Sequence, residues 1–219
     1  GNLLIVAART SGAGSKGVSL FVLETENLPG FRVGRLLEKI GMQASDTAEL
    51  FFDGVRVPAD QLLGEVEGKG FGQLMGALPY ERMLIAVPAA ATIEQALAVT
   101  VEYTKQRKAF GAPLFDMQLT RQKLAEVATT AHVVRSFVND CTQRLLDGTL
   151  DNEAAYMAKW WCTEQQCRVV DECLQLFGGY GYMAEYPISR FWTDARVLRI
   201  YGGTSEIMKE LVARSLLGR

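Results

Sequence analysis

From Gln118 to Leu146 the apolar residues Leu124, Val127, Ala131, Val134, Val138, Cys141 and Leu145 recur at alternating spacings of three and four. That period winds them onto one stripe of an α-helix, the a/d seam of a bundle helix. A seam needs other helices to cover it, so this part of the chain is committed to a helical bundle. Asp147-Gly148 stops the helix, and Asp151 is placed to cap the next one, over about Asn152 to Phe177. There Ala154, Ala158, Trp161, Val169, Cys173 and Leu176 share a side. Gly178-Gly179-Tyr180-Gly181 ends it, because three glycines in four positions sit poorly inside a helix.

A short helix is expected around Ile188 to Val197 and a last one from Ser205 to Leu217. Before the seam, a long helix spans about Gly70 to Gln106, and Pro88 should kink it by removing the bond to Leu84. Residues 1 to about 63 read as β instead. Leu3 to Ala8, Val18 to Leu23, Phe31 to Leu36 and Glu49 to Asp53 are strand-like, and Asp53-Gly54 signals a turn into Val55 to Pro58. The expected fold is α+β and mostly α: a partial β-sandwich or barrel segment (1–63), then an up-down four-helix-type bundle (64–219). The chain opens on Gly1 directly into a strand-like run, as if starting mid-domain, and the exposed edge at Leu3 is expected to pair with further chain.

Composition excludes several functions. A net charge of -2 with no dense Lys/Arg run gives no electrostatic reason for nucleic acid or a membrane surface. No signal peptide or membrane span is read. One histidine, His132, rules out a multi-His metal centre. Cys141, Cys162, Cys167 and Cys173 form no C-x-x-C pair and fall on predicted helices, as small apolar residues in a reducing compartment.

Four places could carry chemistry. Glu81 lies on an otherwise apolar stripe, with Leu74, Ala77 and Leu78 behind it and Leu84, Ile85 and Pro88 ahead. A solvated Glu paired with Arg82 is the commoner meaning of such a residue; in a dry pocket its pKa rises and it becomes a usable base. Arg107-Lys108-Ala109-Phe110-Gly111 sets a cation and an aromatic at a helix end, suited to an anion or to ordinary dipole complementation. The glycines of Gln175 to Gly181 would admit a ligand close to the backbone, or simply stop a helix. They are no dinucleotide fingerprint, because a helix precedes them. Tyr201-Gly202-Gly203-Thr204-Ser205-Glu206 opens the last helix, where Thr204 or Ser205 can cap and free amides can hold an oxyanion.

Taken together these residues resemble the acyl-CoA dehydrogenases. Gln175-x-x-Gly178-Gly179-x-Gly181-Tyr182-x-x-Glu185-x(4)-Arg190-x(3)-Asp194 fits the family's C-terminal signature. Arg107 to Gly111 followed by Gln118 fits its flavin-binding stretch, and Ile200 to Ile207 its entry to the last helix. Ser45-Asp46-Thr47 and Val57-Pro58 match in the β part. The resemblance implies oxidation of an acyl-CoA thioester to its trans-2-enoyl product, the α-proton going to a carboxylate and the β-hydride to N5 of FAD. In most members the base follows the Tyr of the last-helix motif, where this chain has Gly202. Long-chain and isovaleryl types place it on the earlier helix in a Pro-x-Glu-Arg context, which Pro79-Tyr80-Glu81-Arg82 fits.

Glu81 is therefore the expected base and Glu206 its rival. Tyr80, Arg82, Gly202 and Gly203 are expected at the substrate, with the Gly202 amide on the thioester carbonyl. Arg107, Phe110, Gln118, Gln175, Gly178, Gly179, Thr204, Ser205 and Glu206 are expected at FAD, several of them across a subunit interface. The resemblance further implies a homo-oligomer, usually a tetramer, and an electron-transfer flavoprotein as acceptor. The compartment is bacterial cytoplasm, or the mitochondrial matrix in a eukaryote. On this resemblance the given sequence is expected to begin after the family's N-terminal helical domain. An acyl-CoA oxidase, a flavin monooxygenase and a non-catalytic assembly module are the competing expectations.

Overall fold

The structure, a computed structural model, describes residues 1–12 and 14–218. The chain divides into two compact units, Gly1–Lys39 with Gln43–Leu78, and Ile40–Met42 with Pro79–Arg219. The composition changes near Gly64, but the division falls inside the first long helix, α1 (Gly70–Gln106). The reason lies in the first turns of α1. A Cβ on Gly70 would stand 2.8 Å from the Leu20 amide nitrogen, and the Gln73 amide donates to the Leu63 carbonyl at 2.8 Å, so these turns pack with the strands.

In the first unit, β1 (Leu3–Arg9) and β2 (Val18–Glu24) form an antiparallel pair with Leu3 opposite Glu24 and Arg9 opposite Val18. Leu20 and Leu23 of β2 are buried, whereas Leu3 and Ile5 of β1 are exposed. β3 (Phe31–Leu36) and β4 (Ala48–Phe52) pair separately, with a register shift between Val33 and Leu36. Gly34 sits in that irregularity, where a Cβ would come 2.5 Å from the Phe51 ring. Among the described residues the strands make two-stranded sheets and no closed barrel. The strand expected at Val55 to Pro58 is absent. Gly54 turns at φ 60°, and Pro58, which has no N–H for a ladder, leads into a single 3-10 turn at Ala59–Gln61.

The second unit is the helical bundle. α1 is followed by a two-residue ribbon, β5 (Lys108–Ala109) with β6 (Ala112–Pro113), then α2 (Gln118–Leu146), α3 (Asn152–Phe177), α4 (Pro187–Leu198) and α5 (Ser205–Leu216). The seam is buried as its spacing requires, from Leu124 through Val127, Ala131, Val134 and Val138 to Cys141. α3 packs against α2, α4 and α5. The Asp151 carboxylate caps α3 by accepting from the Ala154 amide at 2.7 Å, which holds the Asp151 pKa below its usual value. Burial pushes the Cys162 thiol up to about 12 and that of Cys173 to about 11, as expected of inert apolar cysteines.

α1 continues unbroken through both Pro79 and Pro88. It is also long and apolar enough to cross a membrane, with a mean hydropathy of 1.7 in its most apolar window, which the sequence reading passed over. Here its buried face, Met83, Ile85, Ala86, Ala89, Ala90, Ile93 and Ala96, is part of the bundle core. A core helix satisfies the same length and composition.

Candidate active site

Glu81 does not sit on a buried stripe. It is exposed, as are Leu84 and Pro88, while Ile85 is buried. The buried face of α1 lies one residue further round, and it is Arg82 that enters it, with only 5 % of its surface exposed. One residue is about 100° of helix, enough to exchange the inner and outer neighbours. The Arg82 guanidinium lies over the Tyr156 ring of α3, 4.6 Å from its centroid, and its Nε has no hydrogen-bond partner among the described residues. Burial holds the Arg82 pKa below its ordinary value, offset in part by Tyr156 and Glu81. Tyr80 is exposed.

One turn of α3 beyond Tyr156, Lys159 is fully buried and donates from Nζ to the Gly203 carbonyl at 2.5 Å. Burial and, after it, the nearby Arg82 bring its pKa down to about 8, against the pull of Glu164 and Glu206. Gly202 and Gly203 have φ of 65° and 97°. A Cβ on Gly202 would stand 2.4 Å from Ile85 Cδ1, and one on Gly203 would stand 2.5 Å from Met208 Cε. The positive φ at both positions favours glycine, and the side-chain ends of Ile85 and Met208 lie close against them.

The loop is closed by Ser205 N donating to Arg199 O at 3.1 Å, while Arg199 pairs with Glu164 at 2.8 Å. Thr204 caps α5 by accepting from the Ile207 amide at 3.3 Å. Ser205 is buried with its Oγ unpartnered among the described residues. Glu206 is exposed in the first turn, where its own amide and then the Thr204 hydroxyl hold its pKa below the usual range. Such a carboxylate is a poorer proton acceptor.

A second constellation lies at the other end of α3. Arg107, Gln175, Gly178 and Gly179 line one cleft of about 660 Å³ with Tyr103, Thr120 and Tyr180. Arg107 stands over the Tyr180 ring at 5.4 Å. Tyr103 stacks on Phe177 at 4.0 Å and donates its hydroxyl to the Phe177 carbonyl at 3.1 Å, which fixes the cleft floor. Nothing would meet a Cβ on Gly178 or Gly179, so their backbone faces open space. A guanidinium, a carboxamide and bare backbone suit an anionic group of the flavin-dinucleotide kind, with an aromatic rim for its planar parts.

Phe110 and Gln118 do not line this cleft. Phe110 sits at the tip of the β5–β6 ribbon with φ 55°, next to Gly111 at 86°, and is almost fully exposed. Phe110 and Gly111 are the two central residues of this tight hairpin, whose turn needs positive φ at both. Gln118 is exposed at the start of α2. Two further signature residues, Arg190 and Asp194, brace the scaffold. Arg190 donates to the Ala184 carbonyl at 2.8 Å, and Asp194 accepts from the Met42 amide at 2.5 Å. Among the described residues no group of His, Cys, Asp or Glu could hold a metal ion.

Sequence reading passed over Tyr156 and Lys159. The signal was present in Lys159, a cation between the core residues Ala155, Ala158 and Cys162 of α3. It is the same kind of misfit that drew attention to Glu81.

Residues 68–217 match the family model described as the acyl-CoA dehydrogenase C-terminal domain. The chain is 50% identical over 219 residues to the long-chain specific acyl-CoA dehydrogenase, mitochondrial, of Mus musculus, covering 99% of this chain and 50% of that one. The chain thus spans about half the length of the curated relatives it matches. In structure it superposes on the acyl-CoA dehydrogenase of Geobacillus kaustophilus with a TM-score of 0.94 at 45% identity, covering 98% of this chain and 57% of that one. It also superposes on PigA, solved with FAD and proline, with a TM-score of 0.90 at 25% identity over 98% of this chain and 56% of that one.

Proposed function

Because this chain belongs to the acyl-CoA dehydrogenase family, we propose that it carries the base and the thioester loop of a flavin-dependent dehydrogenase acting on a long-chain or branched acyl-CoA. The observation that carries the proposal is the contact of Ile85 with Gly202. Glu81 lies four residues before Ile85, one turn up the same helix, and among the described residues its carboxylate is in no ion pair, so it is the carboxylate of α1 one turn from the glycine loop. Glu81 takes the α-proton of the thioester. The Gly202 amide holds the thioester carbonyl and favours the enolate charge that develops there. Glu206, fixed by its helix terminus with its pKa lowered, is the weaker candidate for base.

FAD, when bound, supplies the acceptor for the β-hydride. Arg107, Gln175, Gly178 and Gly179 hold its anionic part in the cleft, while Phe110, Gln118, Thr204, Ser205 and Glu206 contact it elsewhere. The FAD bound to PigA supports this cofactor. Exposed Phe110, Leu119, Leu146 and Tyr182 support a homo-oligomer, in which such residues are covered. Electrons pass on to an electron-transfer flavoprotein. The compartment is the bacterial cytoplasm, or the mitochondrial matrix in a eukaryotic host; the mouse relative is named as mitochondrial.

The test is anaerobic reduction of the flavin-loaded, full-length protein by a saturated acyl-CoA, with Glu81→Gln alongside. Wild type bleaches the flavin absorbance, and the variant does so about 10²–10⁴-fold more slowly, the usual worth of a positioned base. Equal rates would move the base off α1.

A further inference from the structure

We propose that Lys159 is a positioning residue for this reaction, its ammonium gripping the Gly203 carbonyl so that the glycine loop keeps its place beside the Glu81 turn of α1. The proposal rests on the dehydrogenase reading above. Its geometry is independent of that reading.

Lys159 has no exposed surface, and among the described residues no carboxylate pairs with it. A buried ammonium without a counter-ion is an expensive way to fill space, and a methionine of similar length would pack there without that penalty. What the lysine adds is a charged donor, and among the described residues the oxygen it donates to is that of Gly203 at 2.5 Å. Gly203 has φ 97° and Gly202 has φ 65°, so the loop has little backbone preference of its own to hold this shape.

The same turn of α3 serves α1. Tyr156, three residues before Lys159, lies under the Arg82 guanidinium, and Arg82 is the residue next to Glu81. Tyr156 and Lys159 project from adjacent positions on one helix face. One turn of α3 therefore registers both parts of the proposed site, the base through Arg82 and the thioester loop through Gly203. The charged groups around the Lys159 ammonium are Arg82 from α1, Glu164 from α3 and Glu206 from α5. Its pKa of about 8 makes the grip sensitive to mild alkali.

The experiment compares wild type, Lys159→Met and Lys159→Arg in the flavin-loaded full-length protein. Hydrogen–deuterium exchange is followed by mass spectrometry over peptides spanning 200–206. In Lys159→Met exchange in those peptides rises about tenfold while peptides from α2 and α3 stay protected. The kcat falls at least tenfold with KM within about threefold, as for a misplaced group and not a lost binding contact. In wild type kcat declines above about pH 8, and in Lys159→Arg, whose guanidinium stays charged, that decline is absent. Unchanged exchange in Lys159→Met overturns the grip. Faster exchange with unchanged kcat leaves a purely structural contact and overturns the positioning role. A wild type that fails to bleach flavin with normal exchange behaviour sinks the dehydrogenase reading, and the role in that reaction with it, while the contact itself stands.

Discussion

The two glycine loops of the bundle look alike in sequence and are built for opposite purposes. In Gly178-Gly179-Tyr180-Gly181 the first two glycines face open space, and a Cβ on either would meet nothing. In Tyr201-Gly202-Gly203-Thr204 both glycines are pressed against side chains, Ile85 on one and Met208 on the other. The first loop leaves its backbone bare. The second uses the missing side chains to let the chain's own parts come together. Glycine richness alone does not separate a ligand cradle from a packing joint; what stands where the Cβ would be does.

Substitution can break this contrast. Gly202→Ala combines a left-handed φ with the overlap on Ile85 Cδ1 and should lower stability by about 3 kcal/mol, read as a lower midpoint of the helical circular dichroism signal. Ile85→Val removes that methyl, and in the Gly202→Ala background it should restore about 1 kcal/mol where alone it costs a similar amount. Additive losses would mean the two residues do not meet.

A smaller effect should appear with pH. The Lys159 pKa is depressed to about 8 in the fold from an ordinary 10.5. Between those values the unfolded chain binds more protons than the folded one, so stability due to this group rises as pH rises through that window. Denaturation midpoints at pH 7 and pH 10 should show this gain in wild type relative to Lys159→Met.

Gly179→Ala should be the quietest of the set. Its backbone is not left-handed and its Cβ has room, so stability should stay within about 0.5 kcal/mol. Flavin titration should nonetheless show weaker binding, because the added methyl stands in the cleft. A stability loss as large as that of Gly202→Ala would erase the distinction between the loops.

The helices were legible because their signals are local. The Gly70–Gln106, Gln118–Leu146 and Asn152–Phe177 spans follow from apolar period, glycine stops and one aspartate cap, and the structure has the same bounds. The β part was less so. Pairing Phe31 with Phe52 and leaving Val55 to Pro58 unpaired are non-local outcomes that alternation cannot fix. At the site, motif resemblance gathered Arg107, Gln175, Gly178 and Gly179, which the fold does bring to one cleft. It gave no hint of Tyr156 or Lys159, whose meaning depends on what α1 and the last loop lay against them. The apolar stripe that drew attention to Glu81 has its buried position at Arg82 instead, since helical phase is known from sequence only to about one residue. The choice of Glu81 as base came from the resemblance and its Pro-x-Glu-Arg context.

α3 also acts as a gauge. The Gly203 carbonyl is held from Lys159, and the open loop begins at Gly178, directly after Phe177. The 18 residue steps from Lys159 to Phe177 set these two stations about 27 Å apart along a rigid rod. The length can change only in steps of one residue, each advancing the far end by about 1.5 Å and swinging it through about 100°. Point substitutions along the rod leave the spacing intact, whereas a single insertion or deletion between the stations would put them out of register even with every contact residue still present.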